Sequence, residues 1–141
     1  MLDQSTIVAV LRGEKLTYEV DGESLNLAWR TVHPDLRSSH GYRWPFPGNW
    51  ATVAPVDFSR GDPCPDFEGD GLCLATTWAG AASGSIPAGT GLLCAYRDPD
   101  VLGSDETKLR VSATFVLDVI DIPAIIRSGH LYGAYLSRAN L

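Results

Sequence analysis

The chain has 141 residues, 45% of them hydrophobic and 20% charged, with a formal net charge of −6. That balance disfavours duplex nucleic acid, whose affinity comes largely from Lys and Arg displacing phosphate counterions, and no window approaches the roughly 20 apolar residues of a membrane span. A chain of this length buries a core without disulfides or metal, and Gly and Pro, about a sixth of it against a usual share near 12%, argue for many turns and against a helical bundle.

The first six residues have no basic flank, and the apolar run at 7–11 is too short for a signal peptide. The expected location is therefore the cytoplasm, or a virion assembled from it. Ile-Val-Ala-Val-Leu at 7–11 is rich in β-branched residues and reads as a first strand. A hairpin follows, because Leu16, Tyr18 and Val20 alternate with polar residues, Asp21-Gly22 supplies a turn, and Leu25, Leu27 and Trp29 alternate again.

Between residues 33 and 65 the regular periods vanish, and six of the nine prolines fall there. Structureless loops longer than about 15 residues are uncommon in compact domains and tend to bind partners or to be disordered. Tyr42, Trp44, Phe46 and Trp50 argue for order, since disordered chains are poor in aromatics. An ordered loop covering one end of a sheet is expected. Rigid aromatics flanked by Pro45 and Pro47 suit a contact surface, although the same rings could equally fold back and close the sheet. The local basic stretch from Arg30 to Arg43, with Arg37 and His40, and the acidic group Asp57, Asp62, Asp66, Glu68 and Asp70 both read as solvated loops.

Residues 72–76 read as a short buried strand, with Thr76 or Thr77 capping a helix of small residues at 78–82. Residues 90–96 form another strand, and Asp98-Pro99-Asp100 opens a turn that packs Val101 and Leu102. Residues 108–120 read as one long strand or two successive ones, and Asp121 and Pro123 start a last helix through Ile126, stopped by Gly129. The expected fold is a single α+β domain over residues 1–133, with a mainly antiparallel sheet, continuous or split, of about six strands and two or three short helices. Small residues and Leu recur at an interval of five in 134–141, the pattern of a pentapeptide β-helix, so this tail is either a repeat stub or an ordinary end.

Motifs for chemistry are sparse. Cys64, Cys73, Cys94 and the histidines lack metal-ligand spacing, and no metal is expected. Cys73 and Cys94 occupy apolar strand positions as buried small residues. Neither a nucleophile elbow nor a phosphate-binding glycine loop is present. Trp29 and Trp78 read as core. The favoured function is a non-catalytic interaction domain that needs no cofactor and meets a protein partner through Tyr42, Trp44, Phe46 and Trp50.

The order GDGLCLATTWAGAAS at 69–83, a strand carrying Tyr96, SDETKLR at 104–110 and LDVID at 117–121 resembles an uncharacterised bacterial and phage domain that often precedes pentapeptide repeats. The resemblance covers about two thirds of the chain and implies a domain that caps such repeats. More distantly, the strand running from Gly71 into a short helix is similar to small ADP-ribosyltransferase-like folds. That similarity implies a pocket between two halves of a split sheet, with Arg30 or His33 gripping NAD and Thr76 or Thr77 in the second motif. Only Asp118 and Asp121 lie near the place of the catalytic glutamate, and an acid one methylene shorter implies an inactive or repurposed relative.

Overall fold

The computed structural model describes residues 2–38, 41–53, 61–65, 69–83 and 89–128. The first apolar run is a helix, not the expected strand: α1 spans Gln4–Leu11, capped by Asp3, whose carboxylate accepts the Thr6 N–H at 2.8 Å. Ile7, Val10 and Leu11 fall on its one buried side, the spacing of three and four residues that a helix face requires. Branched residues lean only weakly toward strands, and the cap together with burial outweighs that preference.

The hairpin forms as its alternation indicated. Strand β1 (Thr17–Val20) pairs antiparallel with β2 (Glu23–Val32), and Asp21 and Gly22 both take positive φ, 50° and 80°, as a tight two-residue turn of this hand requires. The remaining elements are β3 (Trp50–Thr52), β4 (Leu72–Ala75), α2 (Trp78–Ala82), β5 (Thr90–Tyr96), a 3₁₀ turn at Asp98–Asp100, β6 (Val101–Ser104), β7 (Lys108–Val111), β8 (Ala113–Asp121) and α3 (Ile122–Arg127). Two strands exceed the sequence expectation. β3 and β6 are only three and four residues long, and antiparallel pairing with β8 and β7 holds them. His40, Asp57, Asp66, Glu68, Gly129 and the tail 134–141 lie outside the described residues.

All eight strands join one antiparallel sheet in the order β3-β8-β5-β2-β4-β7-β6, with β1 also on β2. β2 therefore forks the sheet. Along its length it pairs with β5, and it also pairs with β1 through Glu23–Asn26 and with β4 at Trp29.

Alternation along β2 and β5 divides the core in two. Leu25, Leu27, Trp29, Leu93 and Ala95 face the helices and pack on Ile7 and Leu11 of α1, Trp78 and Ala81 of α2, and Ile122 of α3. Ala28, Val32, Leu92, Cys94 and Val116 face the other way, and Leu36 and Trp44 cover them from the proline-rich segment. Trp29 and Trp78 are core, as expected, and meet edge to face with centroids 5.6 Å apart. A Cβ on Gly91 would stand 2.8 Å from the Trp78 ring, so the small side of β5 lets α2 sit close.

Asp70 departs from the solvated acidic loop expected for it. Both it and Arg110 are buried, at 1% and 0% exposure, with Nη1 3.5 Å from Asp70 Oδ1. The guanidinium also donates to the carbonyls of Asp70 at 2.9 Å and Asp62 at 3.0 Å, which anchors both segments to β7. Gly71, at φ +106°, leaves room for the Arg110 stem, which a Cβ would meet at 2.5 Å.

Candidate functional site

The described residues 33–38 and 41–53 of the proline-rich segment form a covering layer that ends in strand β3. Residues 36–38 and 41–44 fold against each other: Arg37 bridges Arg43, Trp44 N–H donates to Leu36 C=O at 2.8 Å, and Ser38 N–H donates to Tyr42 C=O at 2.9 Å. Pro45 and Pro47 fix the following backbone. Asn49 Nδ2 closes the turn on Phe46 C=O at 3.0 Å, and Gly48 N–H reaches Val116 C=O at 2.8 Å. The loop is thereby stitched to β8. It covers a face of the sheet and then adds an outer strand, rather than capping one end.

This folding lines one cleft of about 380 Å³ with Tyr42, Trp44, Phe46 and Trp50, completed by Leu36 and Pro45, the Trp50 ring itself packing toward the helix side of the sheet. Asp35 and Arg43 supply charge at its rim. The four rings have different jobs. Trp44 is 2% exposed, forms a wall and stacks edge-on with Tyr42 at 5.5 Å. Trp50 is half-buried, braced by Phe115 at 5.4 Å and by the Arg97 guanidinium 4.2 Å from its centroid. Glu23 in turn holds Arg97 at 2.8 Å, and this hydrogen bond keeps the Glu23 carboxyl below its ordinary range. Phe46 is 75% exposed. Such a ring, held by flanking prolines in an otherwise fixed loop, loses little entropy when a partner covers it.

The cleft lies along an open strand edge. Val116 N–H of β8 donates to Asn49 C=O and Val53 N–H donates to Ser112 C=O just before β8, and the register Trp50↔Phe115, Ala51↔Thr114, Thr52↔Ala113 directs the backbone groups of Trp50 and Thr52 away from β8. Among the described residues nothing pairs with that outer side. The Trp44 indole N–H is also buried without an acceptor among the described residues.

The residues implied by the transferase resemblance are not brought together. Register places Trp29, Leu93 and Asp118 in one row, and Arg30 and Leu92 in the next, so Arg30 and Asp118 leave the sheet on opposite faces. A register shift in the β5/β8 pairing at Leu93/Cys94 accompanies the placement of Asp118 among the helices, where it accepts the Leu2 N–H at 3.1 Å. His33 is exposed, and Asp121 caps α3. Thr76 is exposed and bonds Thr107 C=O at 3.4 Å, while Thr77 accepts the Gly80 N–H at 3.0 Å as the cap of α2. Thr77→Ala is expected to lower stability by about 1 kcal/mol, readable as a small drop in urea midpoint. A larger loss would mean that Thr77 does more than cap.

Arg30 is mostly buried, which pulls its pKa below the usual value, and Nη1 donates to Cys73 C=O at 3.3 Å. Burial pushes the Cys94 thiol up to about 12. Composition and spacing carry no sign that Cys64 approaches Cys73, nine residues on, or that Arg110 turns inward, because both depend on how irregular segments pack against β4 and β7. Among the described residues no group of three or more His, Cys, Asp or Glu is placed to hold a metal ion, and no helix is long and apolar enough to cross a membrane. No family model, curated protein or solved structure matches this chain.

Proposed function

We propose that this chain is an interaction domain that takes an extended segment of a partner protein into the aromatic cleft, along the open edge of β3. The observation that carries this reading is the meeting of Tyr42, Trp44, Phe46 and Trp50 in one cleft beside the outward backbone groups of Trp50 and Thr52. An added strand satisfies such groups, while pockets beside the edge select its alternate side chains. Aromatic walls favour an apolar or proline side chain on the guest.

The test is selection of a phage-displayed random dodecapeptide library on the purified chain, followed by affinity measurement with the recovered peptides. Phe46→Ala should weaken binding by about thirtyfold, the effect of losing an anchor of 2 kcal/mol. Its melting temperature should stay nearly unchanged, since exposed substitutions fall within about 0.5 kcal/mol. Peptides that bind Phe46→Ala as tightly as the parent chain would overturn the proposal. Trp44→Ala is unsuitable for this purpose, because removing so buried a ring would damage the fold itself.

A further inference from the structure

Away from the cleft, the segment 61–65 crosses to β4 and sets Cys64 Sγ 3.9 Å from Cys73 Sγ. A disulfide needs about 2.05 Å, so closure asks the two sulfurs to approach by about 2 Å. The two thiols are unequal. Cys64 is exposed and Cys73 is buried in β4, so a dissolved oxidant reaches the first and not the second. The Arg30 guanidinium reaches the same strand from β2, its Nη1 donating to Cys73 C=O at 3.3 Å.

We propose that Cys64 and Cys73 are an oxidisable dithiol, which hydrogen peroxide converts to a disulfide tying residues 61–65 to β4. The Cys64 thiolate attacks a peroxide oxygen, the O–O bond breaks, and the departing oxygen leaves as water once protonated, giving a sulfenic acid. Cys73 sulfur then attacks the Cys64 sulfur, and the S–O bond breaks. That hydroxide takes the Cys73 proton and departs as a second water. Two thiols are oxidised and one peroxide is reduced to two waters. Burial pushes the Cys73 thiol up to about 11, which suits a partner that keeps its proton until the sulfenic acid has formed. Cys94, buried in β5, takes no part.

Hydrogen peroxide added to the reduced full chain supplies the test. Maleimide-reactive thiols counted after denaturation should fall from three to one, and peptide mapping should find the Cys64–Cys73 cross-link. Cys94→Ser should still cross-link and leave no reactive thiol, whereas Cys73→Ser should stop at a Cys64 sulfenic acid trapped by dimedone. A disulfide that includes Cys94, a disulfide between two chains, or Cys64 carried to the sulfinic acid while Cys73 stays reactive would each overturn the proposal.

Discussion

Asp70→Ala is expected to cost about 3–5 kcal/mol of folding stability, the loss seen when one partner of a buried ion pair is removed. Arg110 has no exposed surface, and its guanidinium also holds the carbonyls of Asp70 and Asp62. Solvent therefore cannot take over the role of the lost carboxylate. Since domains of this kind are stable by only about 5–15 kcal/mol, the variant should melt on the order of 10–20 °C lower, measurable by circular dichroism. Asp70→Leu combined with Arg110→Met should recover part of that loss, because the pair also carries a desolvation penalty that an apolar replacement escapes. A single variant within 1 kcal/mol of the parent would show that the pair is not closed to water.

Trp29→Ala should be comparably damaging, by about 3–5 kcal/mol, through the cavity left by a fully buried indole. Trp29 stands at the fork of the sheet, in register with both Ala75 and Leu93, and carries the edge of Trp78. The aromatic pair itself is worth about 0.5–1.5 kcal/mol beyond area. Urea unfolding of Trp29→Ala, Trp78→Ala and the double variant should therefore give losses that fall short of additive. Additive losses would mean that the two rings fill separate parts of the core.

The sequence foretold the fold class through local signals that survive folding: the Asp21-Gly22 turn, the alternation in β2 and β8, and the threonine cap before α2. It misplaced residues 7–11, because Ile, Val and Leu at that density satisfy a strand pattern as well as a helix face. Only the Asp3 cap two residues upstream of Ser5 and the burial of one side tell them apart. β3 and β6 escaped notice for a different reason. Strands of three or four residues have no period to read, and they exist because β8 and β7 offer them an edge. The grouping of Tyr42, Trp44, Phe46 and Trp50 was legible from composition and proline spacing. The division of labour among them was not, since Trp44 and Phe46 stand in similar sequence and differ only in which side of the loop meets the sheet. Arg110 shows the limit most clearly. It alternates with Leu109 and Val111 as a solvent-facing residue would, yet the segments holding Asp62 and Asp70 close over it.

The pairing of β3 with β8 also sets a timetable for biosynthesis. The strand that carries Trp50 leaves the ribosome well before Phe115, the residue opposite it, and at about 5–20 residues per second that interval lasts several seconds. Throughout it the strand that carries Trp50 has no β8 to lie against. A nascent chain therefore displays as a sticky ribbon the same surface that the finished domain offers as a shaped recess, and it is during translation, more than afterwards, that this segment needs shielding from its neighbours.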